Sequence, residues 1–297
     1  MQAKEMTVDS RAPVAAYVLM AAGATALTLG DFFIKKAALS GVSVSALLLF
    51  ALPLTALGIL LLAHFTGGIR HHLYPRHPAK LAIRAGLLLI MAYLNVTSLS
   101  VNPYSQHAML FQLSPVFALM IGVVFLGEKL TPLVIAVLAA CIFGAWLIIN
   151  PASGHYSVLL LIAVVAAFSN ATTNAYIAAN RQFATPIGFT FYAVGGVAIV
   201  AGTHWAISEQ RIPELSSQVW IQASAFFGVA GIVLAGMAMQ AANGNVGRVS
   251  AMFYVQMPVA LLLGWVAFGE TPSWSATLGG VIVIASGLAI VLSSRRR

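Results

Sequence analysis

The chain contains a long stretch of sequence twice, and this duplication restricts its possible folds more than any other feature. Residues 108–116 read AMLFQLSPV and residues 251–259 read AMFYVQMPV, so their prolines are separated by 258 − 115 = 143 positions. An apolar run follows each copy, and a Gly-Glu pair closes each run, at 127–128 and at 269–270. The sequence therefore predicts two homologous halves, over residues 14–150 and 157–293.

The apolar content of both halves places the chain in a membrane. Hydrophobic residues make up 60% of the 297 residues and charged residues 7%, against roughly 45–50% and ~25% in soluble domains. The net charge of +8 does not indicate nucleic-acid binding, because the basic residues gather in short loops and at the chain ends, as in membrane proteins. The single cysteine, Cys141, excludes an intramolecular disulfide.

Ten apolar segments approach the ~20 residues that a helix needs to cross the hydrocarbon core. The first segment has a rival interpretation as a signal peptide, since Ala24-Thr25-Ala26 resembles a cleavage site. Its length and its counterpart in the second half favour a membrane span. The predicted fold is an all-α membrane protein with ten transmembrane helices. These spans are predicted at about 14–34, 43–65, 81–99, 104–126, 132–149, 157–178, 187–207, 219–241, 246–268 and 272–292.

The distribution of lysine and arginine predicts the orientation in the membrane. If the N-terminus is cytoplasmic, twelve of the fifteen basic residues share that side, and Lys35, Lys36 and Arg211 lie opposite. Because cytoplasmic loops carry the excess of positive charge, the tails 1–13 and 294–297 are both predicted to be cytoplasmic. Five spans per half is an odd number, so the halves enter the membrane in opposite orientations. Two inverted five-helix repeats of this kind are typical of secondary transporters.

The Gly-Glu and Thr-Pro pairs between spans have the composition of helix ends and helix starts. A hydroxyl at Thr131 or Thr271 suits a helix N-cap, and the proline after it suits the first helical position. Gly127 and Gly269 suit the end of the preceding helix. We interpret both motifs as structural joints rather than as sites of a catalytic glutamate. Small residues expected at close helix contacts are Ala140, Gly144, Gly279, Gly280 and Gly287.

Asp31 is the only acidic residue inside an apolar span. A charged side chain at a helix centre costs about 2.5–3.5 kcal/mol on insertion scales, so it usually faces a cavity or a partner. Lys35 follows four residues later on the same helical face. Asp31 is therefore a candidate for anchoring a substrate amino group or, with Lys35, for ion coupling. A snorkelling ion pair near the helix end explains the same two residues.

Other polar and aromatic residues inside the spans complete the candidate site. His107 shares a helical stripe with Phe111 and Ser114, and Tyr254 occupies the repeat position of Phe111. Hydrogen bonds between helices are the alternative role for these residues. The candidate substrate-binding residues are Asp31, Tyr93, Asn95, His107, Phe111, Ser114, Asn174, Tyr254 and Gln256.

Two further patterns resemble other kinds of site. Residues 122–129 approach a phosphate-binding loop, but Glu128 stands in place of the lysine. His71, His72 and His77 lie in a basic loop that offers no carboxylate or thiol, so we predict no metal site. Because no catalytic triad or paired-carboxylate spacing is present, we predict neither an enzyme nor a cofactor.

The duplicated motif resembles the drug/metabolite transporter superfamily, in particular its EamA-type ten-helix members. The resemblance rests on Gln112-Leu113-Ser114-Pro115, the Gly-Glu-Lys-Leu-Thr-Pro run at 127–132, their repeat at Pro258 and 269–270, and the five-plus-five duplication. It covers nearly the whole chain. It implies export of small metabolites, and the layout is similar to that of aromatic amino-acid exporters in this superfamily.

Together these features predict an exporter of small metabolites, most simply amino acids, that works by alternating access in a bacterial-type inner membrane. A phosphorylated substrate is disfavoured, since clustered basic residues inside the spans would be expected for it. A carrier of sugars, nucleotides or cofactors is the alternative, followed by a membrane-embedded enzyme. The predicted partners are an amino-acid-like solute and the lipid bilayer, with no nucleic acid, in a monomer or homodimer.

Overall fold

The structure is a computed structural model that describes residues 14–74, 77–125, 131–150, 157–208, 211–242 and 249–293. Every regular element within these ranges is helical, and a 3₁₀ turn, Ala251–Val255, directly precedes α11. The helices are α1 (Val14–Leu39), α2 (Val44–Phe65), α3 (Ile69–Leu73), α4 (Pro78–Val101), α5 (Tyr104–Phe111), α6 (Ser114–Phe125), α7 (Pro132–Ile149), α8 (Leu160–Ala179), α9 (Pro186–Ser208), α10 (Leu215–Gln240), α11 (Gln256–Phe268) and α12 (Trp274–Ser293).

The helices confirm the predicted membrane fold. Nine helical stretches of the described chain have the length and hydropathy of a membrane span, with α5 and α6 counted together. A tenth apolar helix, α12, follows them. The boundaries agree with the prediction to within a few residues, although α1 continues to Leu39 where the sequence predicts an end near residue 34.

The helices pack as two inverted repeats. The first helix of each half lies against the third span of the other half, so α1 packs on α10 and α8 packs on α4. Counterparts also pair with each other across the interface, as α2 does with α9 and α7 with α12. A pseudo-two-fold relation between the halves requires this pattern, since every contact must have a mate. The predicted five-plus-five inverted architecture is confirmed.

Glycines allow the closest helix crossings. A Cβ atom on Gly23 of α1 would lie 2.9 Å from the amide nitrogen of Ala235 and 3.0 Å from the carbonyl oxygen of Gly231, both on α10. A Cβ on Gly144 would lie 2.8 Å from the carbonyl oxygen of Gly279, where α7 crosses α12. Close backbone approach replaces the hydrophobic effect as a source of helix association in lipid. The predicted packing role of Gly144 and Gly279 is confirmed.

Two predicted spans are broken rather than continuous. The span predicted at 104–126 divides into α5 and α6, with a turn at Gln112 and Leu113. Pro115 follows this turn, has no N–H, and its ring would collide with the carbonyl group four residues earlier in a regular helix. In the second half, a 3₁₀ turn precedes Pro258 in the same way. Broken helices in transporters place backbone polar groups beside substrate sites.

One predicted helix start is wrong. Thr131 caps α7 as predicted, since its hydroxyl accepts a hydrogen bond of 3.4 Å from the backbone N–H three residues later. Thr271 does not cap α12, which begins two residues later than predicted. Ser273 lies nearer to the apolar run, is itself a favourable N-cap residue, and accepts the equivalent bond at 3.2 Å. Gly269 ends α11 as predicted, in a left-handed conformation with φ of 65°.

Candidate substrate site

A narrow cavity lies between the two halves, where the broken helices face α1. Its volume of about 20 Å³ is slightly above the roughly 10–15 Å³ that one water molecule needs. The conformation described is therefore closed around the cavity. The lining residues are Thr28, Asp31, Tyr104, His107, Ala108, Phe111, Gln112, Gln256 and Ala260.

The Asp31 carboxylate in this cavity has no cationic partner among the described residues. Asn95 Nδ2 donates a long hydrogen bond of 3.4 Å to Asp31 Oδ1. The ion pair with Lys35 that sequence spacing allows is not formed. An ionisable side chain that faces a membrane-embedded cavity without a counter-charge is a functional-site hypothesis by default.

Lys35 binds the end of a neighbouring helix instead of Asp31. Its ammonium group donates to the carbonyl oxygen of Asn102 at 2.8 Å and to that of Ser100 at 3.4 Å. The last carbonyl groups of a helix have no partner within the helix and carry partial negative charge. The long lysine side chain reaches the C-terminal end of α4, so these carbonyls satisfy the buried ammonium and Asp31 stays unpaired.

His107 and Phe111 form an aromatic wall of the cavity. Their rings stack with centroids 5.6 Å apart and an interplanar angle of 23°. His107 Nδ1 lies 2.9 Å from the hydroxyl of Ser98. The other ring nitrogen, Nε2, is buried and has no hydrogen-bond partner within the described residues. The imidazole therefore has one nitrogen held by the protein and one without a partner among the described residues.

Two glutamine side chains join the halves across the cavity. Gln112 Nε2 donates to Gln256 Oε1 at 3.5 Å, at the limit of hydrogen-bond distance. Gln112 lies in the turn between α5 and α6, and Gln256 begins α11, so both amides sit at the helix breaks. A contact this long exchanges readily for a ligand, because each amide offers both a donor and an acceptor.

The structure brings together only part of the predicted site. Asp31, His107, Phe111 and Gln256 line the cavity, and Asn95 joins them through its hydrogen bond to Asp31. The other predicted residues lie elsewhere. The positions of these other residues depend on which face of its helix each one occupies, and the polarity of a single residue does not show this.

Tyr93 points away from the cavity. Its hydroxyl lies 3.3 Å from His204 Nδ1 on α9, and the two rings stack at 6.0 Å. Tyr93 and Asn95 are two residues apart, which is about 200° around a helix of 3.6 residues per turn. They therefore occupy opposite faces of α4, and only Asn95 belongs to the site.

Ser114 and Asn174 belong to a second polar contact between the halves. Asn170 Nδ2 donates to Ser114 Oγ at 2.9 Å, and Asn174 Nδ2 donates to Asn170 Oδ1 at 3.4 Å. Asn170 is the central residue of this contact, and polarity within an apolar span was the signal that could have found it. Neither predicted residue lines the cavity.

Tyr254 is a packing residue rather than a cavity residue. Its side chain is buried, its hydroxyl has no hydrogen-bond partner in the described chain, and it occupies the space that Gly287 leaves on α12. A Cβ on Gly287 would collide with the Tyr254 ring and hydroxyl. Tyr254 is the repeat counterpart of Phe111, but it does not share the cavity-lining role of Phe111, because it packs against α12.

Sequence reasoning missed Thr28, Tyr104 and Gln112. Tyr104 is fully buried, and its hydroxyl donates to the carbonyl oxygen of Thr28 at 2.7 Å. Tyr104 begins α5 directly after a turn, where a tyrosine resembles an interfacial anchor, so the sequence carries no signal for its burial. Gln112 stands in the duplicated motif, and its position one turn before a helix-breaking proline was the available signal.

Glu270 holds the start of α5 in place. Its carboxylate accepts hydrogen bonds from the backbone N–H groups of Tyr104 and Ser105, at 2.6 and 2.7 Å, and from the Ser105 hydroxyl at 2.6 Å. Negative charge is favourable at a helix N-terminus, where N–H groups lack partners. These contacts support the structural interpretation of the Gly-Glu motif in the second half. Gly127 and Glu128 lie outside the described residues.

The contrast between His107 and Tyr254 gives a testable prediction. We expect His107→Ala to weaken substrate transport roughly fivefold or more, since about 1 kcal/mol of stacking and polar contact is lost. Tyr254→Phe is expected to leave transport unchanged and stability equal or higher, because it removes a buried hydroxyl without a partner. Initial uptake rates in proteoliposomes and thermal unfolding check both variants. Equal uptake by His107→Ala and wild type would contradict this assignment.

Within the described residues, apolar helices in two inverted repeats enclose a small cavity at the broken helices, which is the architecture of an integral membrane transporter. Comparison with known families agrees. The model of the EamA-like transporter family matches residues 14–150 and 157–292. The chain belongs to this family, within the drug/metabolite transporter superfamily.

The relatives of this chain are named for two different substrates. A protein of Streptantibioticus cattleyicolor described as a "Probable terminal-alkyne amino-acid exporter" is 29% identical over 207 residues, which is 65% of this chain and 65% of that protein. A riboflavin transporter of Rhizobium johnstonii is 25% identical over 84% of this chain and 78% of its own length. A riboflavin transporter of Brucella anthropi is 23% identical, over 78% of this chain and 81% of its own length.

A solved crystal structure, described only as that of a protein, shares the fold. It superposes with a TM-score of 0.63 at 16% identity, covering 94% of this chain and 98% of its own. At this identity the likeness concerns the arrangement of helices alone.

Proposed function

We propose that this transporter exports amino acids across the inner membrane by alternating access. The observation that carries the proposal is the Asp31 carboxylate, which faces the cavity between the halves while the nearby Lys35 is bound to backbone carbonyls. An unpaired carboxylate in a low-dielectric site favours a ligand with an ammonium group. The name of the 29%-identical relative, an amino-acid exporter, supports the same substrate class.

The remaining cavity groups suit the rest of an amino acid. The stacked rings of His107 and Phe111 offer an apolar face to a side chain. The amides of Gln112 and Gln256 offer donors and acceptors. A zwitterion with a hydrophobic or aromatic side chain matches this combination of one anion, two rings and two amides.

Two features support alternating access, namely the small size of the cavity and the inverted relation of the halves. A space of about 20 Å³ holds about one water molecule, so a solute enters only when the halves separate. Inverted repeats give two similar ways of separating, one toward each side of the membrane. The long Gln112–Gln256 contact, at 3.5 Å, joins the halves at the point that must open.

A neutral heterocyclic solute is the second candidate substrate. The two relatives named riboflavin transporters match a larger share of the chain than the amino-acid exporter does. Stacked aromatic rings and paired amides also suit a planar ring system with hydrogen-bonding edges. The two candidates differ at Asp31, because a neutral heterocycle has no ammonium group for its carboxylate.

Transport by the purified protein tests the proposal directly. Proteoliposomes are loaded or surrounded with labelled phenylalanine, leucine or riboflavin, and initial rates are compared with those of protein-free liposomes. We expect saturable movement of at least one amino acid, with competition by unlabelled amino acids. Riboflavin movement without amino-acid movement would replace the first candidate by the second.

The proposed orientation makes a labelling prediction. Single cysteines are introduced at Tyr74 or at Ile212, both exposed, in a Cys141→Ala background. A membrane-impermeant maleimide applied to intact cells is expected to label the cysteine at position 212 and to spare that at position 74, because the basic loop is retained in the cytoplasm. Permeabilised cells should label both positions. The opposite pattern in intact cells would reverse the orientation of both halves.

A further inference from the structure

Arg84 is a buried residue whose guanidinium has no hydrogen-bond partner within the part of the chain that the structure describes. Only 4% of the residue is exposed, and its Nε and Nη1 atoms are buried without a hydrogen-bond partner among the described residues. Arginine stays charged at all accessible pH values. A buried cation normally pairs with an anion, because an unpaired one is strongly destabilising.

Arg84 lies on the face of α4 that leads to the cavity. Eleven residues separate it from Asn95, which contacts Asp31, and eleven residues of α-helix turn through about 1,100°, some 20° more than three full turns. The two side chains therefore share one stripe of α4. Their separation along the axis is about 16 Å, so Arg84 lies toward the Pro78 end of the helix, away from the end of α4 that Lys35 binds.

A second unpartnered polar group stands at about the same depth. Helices α4 and α8 run antiparallel, since Asn102 Nδ2 donates to the carbonyl oxygen of Leu159 at one end and Tyr176 Oη donates to that of Lys80 at the other. One turn inward from the second contact, the antiparallel packing places Arg84 and Thr173 at about the same level of the two helices. The Thr173 side chain is 1% exposed, and its hydroxyl is buried without a partner in the described chain.

The carboxylates of the described chain are engaged elsewhere or remote. Asp31 contacts Asn95 about three turns away, Glu270 binds the start of α5, and Glu214 is exposed at the start of α10. None of them neutralises Arg84. The guanidinium group and the threonine hydroxyl together present several N–H and O–H donors. The hydroxyl oxygen is their only hydrogen-bond acceptor, so the pair suits an anion.

We propose that Arg84 and Thr173 form a carboxylate-binding site for the transported solute, separate from the cavity at Asp31. The site rests on the proposed amino-acid function and deepens it. The carboxylate of the zwitterion binds Arg84 on the Pro78 side first, and the ammonium group binds Asp31 afterwards, when the solute has moved about 16 Å along the helix. The two steps are successive, because both charged groups of a free amino acid are attached to one carbon atom. A planar guanidinium recognises a carboxylate through two parallel hydrogen bonds.

Three small probes separate the two charges of an amino acid. Phenylalanine carries both charges, 3-phenylpropionate carries only the carboxylate, and phenylalaninamide carries only the ammonium group. Thermal unfolding of the full-length protein in detergent reports binding, because a ligand that binds the folded state raises its apparent stability. The variants are Arg84→Met, Arg84→Lys and the control Arg181→Met, whose side chain is exposed.

We expect 3-phenylpropionate to raise the melting temperature of wild type and Arg181→Met but not of Arg84→Met. Phenylalaninamide should stabilise all three equally. The apparent affinity for phenylalanine should fall at least tenfold in Arg84→Met, and less in Arg84→Lys, which keeps the charge but loses the planar fork. Arg84→Met is expected to fold, since it replaces a buried unpaired charge by an apolar side chain of similar length.

The outcomes distinguish this site from the proposed function. If 3-phenylpropionate stabilises Arg84→Met as much as wild type, or stabilises neither, the carboxylate site is wrong. If wild type transports phenylalanine in proteoliposomes and Arg84→Met transports it with the same affinity, the carboxylate site is again wrong and the amino-acid function stands. If no amino acid is transported but 3-phenylpropionate binds through Arg84, the anion site stands and the amino-acid assignment falls.

Discussion

Asp31→Asn is expected to fold like wild type and to bind amino acids at least tenfold more weakly. Asparagine has nearly the shape of aspartate, and asparagine is the residue at the matching position of the second half, Asn174. The substitution removes the one charge that the cavity offers to an ammonium group. Charge-assisted hydrogen bonds contribute roughly 1.5–3 kcal/mol, and each 1.4 kcal/mol is a factor of about ten in affinity. Uptake of labelled phenylalanine over a range of concentrations measures the change.

The control for Asp31→Asn is a solute without an ammonium group. Riboflavin or 3-phenylpropionate should interact with Asp31→Asn and wild type alike, because neither depends on the carboxylate. A coupling role would give another result: affinity would be kept, and the dependence of uptake on a pH gradient would disappear. Unchanged affinity together with unchanged pH dependence would show that Asp31 is structural, and both functional roles would fall.

The spans and their duplication were predictable from the sequence because each depends on local composition. A lipid-facing helix must be apolar along its whole length, and the two halves keep a constant offset from Asp31 to Pro258. The breaks before Pro115 and Pro258 were missed, since proline occurs within membrane helices when neighbours satisfy the freed groups. Pro53 inside α2 shows that proline alone does not predict a break.

The site was less predictable because it depends on which helix stands opposite each residue. Asp31 and Lys35 share a helical face, and in an isolated helix they would pair. In the fold, the end of α4 lies within reach of Lys35 and takes its ammonium group. Tyr93 was grouped with Asn95 by polarity, although a two-residue separation already places them on opposite faces. Periodicity could have corrected the second error but not the first.

The contacts on the Lys35 side of the cavity form a seal, in which two contacts join helices within the first half and two join the second half to the first. Lys35 binds the end of α4, Tyr104 bonds to the backbone of α1, and Phe268 packs against Tyr104 with ring centroids 5.8 Å apart. Glu270, two residues after Phe268, binds the start of α5. The Gly-Glu motif of the second half therefore anchors one half to the other beside the cavity. We expect its loss to lower the stability of the protein more than its affinity for substrate.

Glu270→Ala is expected to lower the free energy of unfolding by about 3 kcal/mol or more. Two backbone N–H groups and one hydroxyl at the start of α5 lose their acceptor, and each unsatisfied buried donor costs roughly 1–3 kcal/mol. Water can accept some of the freed hydrogen bonds and so reduces this cost, because Glu270 is only partly buried. Glu270→Gln keeps one acceptor oxygen and should lose about half as much. Unfolding in mixed micelles with increasing denaturing detergent measures the differences.

Glu214→Ala is the matched control, because this glutamate is exposed before α10 and its side chain caps no backbone group. Its substitution should change stability by less than about 0.5 kcal/mol, as for other surface positions. The ratio of the two effects tests the structural interpretation of the Gly-Glu motif. If Glu270→Gln matches wild type in stability but abolishes transport, the carboxylate of Glu270 has a chemical role, because only its charge has changed. If Glu270→Ala and Glu214→Ala are equally stable, the hydrogen bonds to α5 do not hold the halves together.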